Sequence, residues 1–433
     1  VIVTLIYRLV APQSTTWALL SVALLLLSMT FITETRAVSL DQMLAAVSLG
    51  AFYLAYAHDH FSAPRRHFWL LVLLVLGFAI RGPIGLVIPT GMLCSYYLLS
   101  GQWRRMFSVG VQALVLLVLC IGLLLLLAWI SGGQVFVQDV IRMQVTGRID
   151  GSEGASGPFY YFTSSMGNYA LAYPLAVVVL AAVLIAGRKP SNTALHLVKY
   201  CAAAGLIVMI GLSVPQAKKA RYLLPMLPMA AIIAAYPFMG MQGRVFVALR
   251  GLIQAILLAL PALLIAGLIV ASKRFSDDLP PLTSIYVVLG VLQVLALGLL
   301  IKTQWRTTGL AACAVLAMWS SYILVLEPAE RSAYDTRDFT LNTLHLIDQA
   351  PAPLVLHGMG KDAKAIKFMV NLDRDLLPVF TQSAAELSAL QAPSWIVMDR
   401  KDYQALKGTV LGDIVPALSG RFDKNDYVLL HLP

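Results

Sequence analysis

Long apolar runs separated by short polar loops dominate the chain from its first residue to about residue 326. Eleven of these runs approach or reach the roughly 20 residues that a helix needs to cross a bilayer. They cover 16–33, 38–57, 67–80, 83–100, 107–131, 167–187, 197–213, 222–240, 246–271, 283–301 and 308–326. Residues 1–10, VIVTLIYRLV, are too few to cross and read as the tail of a span that begins before Val1. Arg81-Gly82-Pro83 splits the third run from the fourth, and Pro83 suits the first turn of a new helix. The pair is either two helices or one broken, re-entrant helix.

After Glu327-Pro328 the pattern changes. Short strand-like runs (PLVLHG, LLPVF, SWIVMD and YVLLHL) alternate with helical stretches such as DFTLNTLHLIDQA, DAKAIKFMVN, SAAELSALQ and KDYQALKG. Strands separated by helices predict a small α/β layer domain. The expected organisation is a polytopic α-helical membrane domain over 1–326 and a soluble α/β domain over 327–433. LHGMGKD lacks the ending and glycine spacing of a phosphate loop and reads as a strand-to-helix turn. No internal repeat is visible.

Composition agrees with the pattern. The chain is 59% hydrophobic and 12% charged, against about 25% charged in a soluble protein. Its net charge of +10 comes from single or paired cations in short loops, which orient membrane helices and exclude nucleic acid as a partner. The loops holding Arg8, Arg65, Arg66, Arg104, Arg105, Arg188, Lys189, Lys199, Arg244, Arg250, Lys302 and Arg306 are short and nearly free of acids, so they are assigned to the cytoplasm. The 132–166 loop and the region after 326 then face outward. Cys94, Cys120, Cys201 and Cys313 all lie in apolar segments and form no disulfide framework. The histidines are scattered, so no metal site is expected. A divalent cation is admissible, but no ligand cluster supports it, and nothing calls for another cofactor.

Against this apolar background a few charged groups need a reason, because ionisable side chains are expensive near the hydrocarbon core. Residues 214–222, VPQAKKARY, place Lys218, Lys219, Arg221 and Tyr222 at the mouth of an apolar run on the outward side. Positive charge there runs against the orientation rule and fits an anion held at the membrane surface. Lysine offers a point charge, arginine a bidentate fork and tyrosine a hydroxyl donor. Inner-leaflet anchoring under a reversed topology is the plainer alternative. Arg81 either snorkels to the headgroups or contacts a phosphate beside the helix opened by Gly82-Pro83. Asp41 either places a carboxylate in a first helical turn, or partners Arg36 or Arg81, or holds a substrate or metal. In the outer loop, Arg148, Tyr160 and Tyr161 are candidate substrate contacts, with an interfacial aromatic belt as the other reading. No HExxH, GxSxG or Walker motif occurs.

Four stretches together resemble the lipid-phosphosugar glycosyltransferases of the GT-C class, closest to the bacterial lipid A aminoarabinose transferases and their kin, the protein O-mannosyltransferases. They are TRAVSLDQMLAAVSLGAFYLAYA at 35–57, GFAIRGPIGLVIP at 77–89, VTGRIDGSEGASGPFYYF at 145–162 and LSVPQAKKARYLLPMLPMAAII at 212–233. The second and fourth are the most specific. Arg81 stands where the family favours lysine, and the region before Pro158-Phe159-Tyr160-Tyr161 lacks the family's histidine. The resemblance implies a multi-pass enzyme of the bacterial inner membrane with a periplasmic C-terminal domain. It would take a sugar from undecaprenyl phosphate and transfer it, with inversion, to a periplasm-facing lipid, glycan or protein acceptor. It also implies that Lys218 and Tyr222 contact the lipid phosphate, that Asp41 supports the active cavity, and that the general base lies before Val1. The rival from another class is a transporter or flippase of a lipid-linked anion; a surface-polysaccharide polymerase or ligase, also GT-C-like, is a third possibility. A transporter would place its ionisable residues near the midplane and show internal repeats.

Overall fold

The computed structural model describes residues 1–37, 39–64, 67–142, 156–163, 165–185, 193–240, 243–274, 279–360, 363–372, 374 and 376–433. These form two compact units: 1–267 with 286–320, and 268–285 with 321–433.

The first unit is helical. In chain order come α1 (Ile2–Val10), α2 (Thr15–Leu26), α3 (Met29–Arg36), α4 (Leu40–His60), α5 (His67–Arg81), α6 (Pro83–Leu99) and α7 (Trp103–Ile141). Then follow α8 (Ala172–Ile185), α9 (Thr193–Ser213), a 3-10 turn at Ala220–Met226, α10 (Leu227–Ala234) and α11 (Arg244–Arg274). α12 (Thr283–Leu299) and α13 (Arg306–Ser321) complete the helical series, with α11 and α12 running past the unit's boundary. Among the described residues, five helices are long and apolar enough to cross a membrane, or six if the bent pair α2–α3 counts as one span. α10 is buried along its whole length. Beside it Trp17 donates from its indole to the Ile232 carbonyl at 2.8 Å and meets Tyr236 edge-on at 5.5 Å. α7 and α11 instead leave apolar side chains uncovered down most of their length. That is stable only where lipid is the solvent, because apolar surface costs nothing against acyl chains. The protein is a multi-pass membrane protein.

Three expected spans have a different form. The 16–33 run bends by 68° between α2 and α3, where Leu27 and Ser28 interrupt the helix. The 222–240 run is cut into a 3-10 turn, the short α10 and a second 3-10 turn at Tyr236–Met239. Pro225, Pro228 and Pro237 account for this, since each removes a backbone donor that a continuous helix needs. The 107–131 run continues to Ile141, through a break at Gly133, whose φ of 63° suits glycine. Its first ten residues beyond 131, expected in the loop, are therefore helical.

Between α5 and α6 the chain reverses at Gly82 (φ 64°), with Pro83 opening α6 as expected. The two helices return against each other so closely that a Cβ on Gly85 would strike the Gly77 carbonyl. Small residues permit this contact, as they do between membrane helices generally.

In the second unit α14 (Glu327–Ala333) and α15 (Arg337–Gln349) precede β1 (Leu354–His357), α16 (Ala363–Leu372), β2 (Val379–Thr381), α17 (Ala384–Ser388), β3 (Ser394–Asp399), α18 (Arg400–Ala405), β4 (Leu418–Phe422) and β5 (Asn425–Leu432). The sheet order is β2-β1-β3-β5-β4. β2, β1 and β3 are parallel, and β5 is antiparallel to both β3 and β4. Alternate residues of the central strands enter two cores. Leu354, Leu356, Trp395, Val397 and Leu429 face one, while Val355, Ile396, Met398 and Val428 face the other. The turn after β1 places Gly358 and Gly360 at positive φ. His357 closes onto the Thr381 hydroxyl at 3.0 Å, and burial holds its pKa below the ordinary histidine value.

The hairpin contact is testable. Gly85→Ala should destabilise the protein by about 3 kcal/mol, the upper end of overpacking costs, because backbone rather than a flexible side chain must move. Gly122→Ala, in open space on α7, should be neutral or stabilising by up to about 1 kcal/mol. Thermal unfolding in detergent should separate the two; equal midpoints would show that the helices are not held this closely.

Candidate functional site

The site begins with Asp41. Ser39 ends an extended stretch, and its hydroxyl accepts from the Asp41 N–H at 3.1 Å, capping α4. This puts the carboxylate in the first turn, where the helix dipole favours negative charge. The carboxylate is almost fully buried, with a side-chain exposure of 3%. Two arginines converge on it: Arg81 Nη2 lies 3.1 Å from Oδ1 and Arg221 Nε 3.3 Å from Oδ2. Arg81 is the last residue of α5, the end of a helix that favours a cation. Arg221 comes from the 3-10 turn. Of the partners weighed for Asp41 from the sequence, Arg81 is realised, and Arg221 joins it.

Tyr222 lies beneath Arg81. The Arg81 guanidinium carbon stands 4.6 Å from its ring centre, a cation–π arrangement. Arg81 retains 15% exposure and Arg221 44%, so Arg221 is the more accessible fork. Lys218 donates from Nζ to the Ser156 carbonyl at 3.1 Å, and Lys219 is exposed.

The aromatic residues of the outer loop have another position than substrate contact alone would require. Tyr161 is fully buried and donates to the Lys219 carbonyl at 3.4 Å. Burial raises its pKa well above the ordinary tyrosine value, which keeps the hydroxyl a donor. Tyr169 donates to the Ala220 carbonyl at 2.6 Å, and Tyr173 to the Tyr161 carbonyl at 3.2 Å. The Ser156 N–H reaches the Gln216 carbonyl at 3.1 Å. Ser156, Tyr161 and Tyr169, with Tyr173 behind Tyr161, thus brace the backbone that carries Lys218, Lys219, Arg221 and Tyr222. Tyr160 is half-buried beside Tyr161 at 5.2 Å. Arg148 lies outside the described residues.

Two further features were not singled out from the sequence. Glu34, on α3, has a carboxylate oxygen, Oε2, that is buried without a hydrogen-bond partner, and α3 packs against the 220–226 turn. Its sequence signal is an acid in the ETR run between two apolar stretches. Behind the same turn, Phe162, Tyr173, Leu206, Met209, Met226 and Met229 line an apolar cavity of about 180 Å³. Among the described residues no group of three His, Cys, Asp or Glu side chains has metal-holding geometry.

The fold is of the GT-C type and is similar to that of ArnT from Cupriavidus metallidurans. Two crystal structures of that protein, one bound to undecaprenyl phosphate and one in the apo state, align with TM-scores of 0.63 and 0.61. Each alignment covers 99% of this chain and 81% of ArnT, at 16% identity. Residues 1–139 match the family model for dolichyl-phosphate-mannose-protein mannosyltransferase. No curated protein matches the chain.

If the Asp41 bridge holds three segments together, Asp41→Asn should lower stability by about 3 kcal/mol. That is the low end of the cost of breaking a buried pair, because Arg221 can relax into solvent. The thermal midpoint in detergent reads this directly, and an unchanged midpoint would remove the bridge from the fold's supports.

Proposed function

We propose that this protein transfers a sugar from a polyprenyl phosphate, of the undecaprenyl kind, to a lipid, glycan or protein acceptor at the outer face of the bacterial inner membrane. The observation that carries the reading is the convergence of Arg81, Arg221 and Tyr222 around Asp41, in a fold whose solved representative has been crystallised with undecaprenyl phosphate. Residues 1–326 form the transferase domain in this reading, and 327–433 a periplasmic domain.

The chemistry follows from the groups present. Phosphate leaves the sugar's anomeric carbon as negative charge grows on its oxygens, and cations fixed in advance lower the barrier by stabilising that charge. Arg81 and Arg221 supply it, Tyr222 adds a hydroxyl donor, and Lys218 and Lys219 extend the positive rim. The apolar cavity behind the turn receives part of the isoprenoid tail. One displacement inverts the anomeric centre. A carboxylate must also take the acceptor's proton. Asp41 is poorly suited to this because both its oxygens are paired with arginines, so its part is to position them. Glu34, with a free oxygen, is the described carboxylate suited to the base. The charges sit at helix ends, as Asp41 and Arg81 do, which favours an interfacial enzyme over a transporter with midplane charges.

Binding of undecaprenyl phosphate to the full chain in nanodiscs tests the site. Arg81→Ala, Lys218→Ala and Tyr222→Phe should each weaken it, the cation losses by about tenfold or more, since a hydrogen bond to a charged group contributes about 1.5–3 kcal/mol. Glu34→Gln should leave that affinity intact and abolish transfer. Wild-type affinity in all three binding variants would refute the donor site.

Sidedness is an independent check. A reporter fused after Pro433 should be periplasmic, and its protection from membrane-impermeant reagents would overturn the orientation.

A further inference from the structure

α4 carries a second polar cluster at its other end. Asp59 lies eighteen residues after Asp41, about 27 Å along a helix at 1.5 Å per residue, close to the roughly 30 Å of a bilayer's apolar core. The two clusters therefore sit at opposite headgroup levels. Asp59 accepts from the Tyr96 hydroxyl at 2.8 Å, Gln102 Nε2 at 2.8 Å and Arg105 Nη1 at 2.7 Å. Arg105 Nη1 also donates to Gln102 Oε1 at 2.6 Å. These contacts fix one nitrogen of a group that offers five N–H donors. Asp59 has 12% side-chain exposure and Arg105 37%, so the guanidinium is anchored on one side and open on the other.

Arg105 opens onto a cavity of about 30 Å³ whose other polar walls are His58, His67, Tyr97 and Ser108, with Leu70 and Val109 beside them. No acid lines it. The Arg105 guanidinium and the donors beside it suit an anion, and the cavity's size admits one or two water-sized atoms, which is to say the oxygens of a phosphate rather than a whole headgroup. The surroundings match a lipid. Phe68, Trp69, Trp103 and Phe107 stand exposed at the starts of α5 and α7, as in the aromatic belts at membrane interfaces. Below them Val111, Leu114 and Val118 continue an uncovered apolar stripe down α7.

We infer that the groove bounded by His58, His67, Arg105 and Ser108 binds the phosphate of an anionic phospholipid in the leaflet opposite Asp41, with its acyl chains along α7. Basic pockets between membrane helices recognise anionic headgroups in this way. A zwitterionic lipid brings its own cation to a rim that already carries Arg104 and Arg105, and it binds less well for that reason. Asp59 keeps the Arg105 fork in place as a positioning residue. This assignment does not depend on the transferase reading.

Native mass spectrometry of the full chain, with phosphatidylglycerol or phosphatidylcholine added, tests it. Phosphatidylglycerol should bind about tenfold more tightly, and the double variant His67→Ala/Ser108→Ala should lose that preference, because two phosphate contacts are gone. Both changes leave the Asp59 network intact, so the variant is expected to fold, and its melting curve checks this. The preference should persist in Arg81→Ala, which separates this groove from the Asp41 site. Equal binding of the two lipids would overturn the proposal, as would wild-type preference in the double variant. Displacement of the lipid by equimolar inorganic phosphate would assign the groove to the free anion and also overturn it.

Discussion

One buried carboxylate sets the geometry of one end of the helical unit. Asp41 is taken out of water and must be paired, because an isolated buried charge is far more costly than any packing gain nearby. Its partners come from two other segments, Arg81 at the end of α5 and Arg221 in the turn after α9. Each must stay where the carboxylate is. The Gly77–Gly85 contact gives Arg81 its position by folding α5 back on α6 at Gly82. Tyr161 and Tyr169 give Arg221 its position by holding the carbonyls of Lys219 and Ala220.

In the proposed phosphate site, the cost of gathering like charges has already been met by the fold. Two guanidiniums side by side repel; the carboxylate between them removes that repulsion while leaving Arg221 44% exposed. A phosphate arriving at the membrane surface then meets donors that need little rearrangement, which is the condition for electrostatic stabilisation of a leaving group. Tyr222 contributes a π-face under Arg81.

Much of this was legible in the sequence for reasons of solvent and periodicity. Apolar runs mark membrane helices because lipid imposes one requirement on every residue of a span. The strand SWIVMD was placed at its observed limits because its burial on both faces leaves an uninterrupted apolar run. The Arg81-Gly82-Pro83 turn showed itself through proline's fixed φ and missing donor. What stayed hidden depends on partners distant in sequence. Arg221 reaching Asp41 spans five other helices, and no local pattern encodes it. Tyr161 and Tyr169 look like interfacial aromatics until their hydroxyls are seen on backbone carbonyls. β4, with the sequence LSGRF, has too few apolar positions to announce a strand and exists because β5 pairs with it. The helix expected over 222–240 failed because its composition is apolar while its prolines are not helical.

The central claim is that Arg81 and Arg221, held by Asp41, receive the phosphate of a polyprenyl donor. A structure of the full chain with undecaprenyl phosphate bound tests it most directly. The account predicts phosphate oxygens within about 3 Å of Arg221 and Arg81 nitrogens, with Tyr222 beneath and the tail entering the cavity beside Met226 and Met229. A phosphate seated elsewhere, with both arginines still closed on Asp41 and the tail outside that cavity, would contradict it.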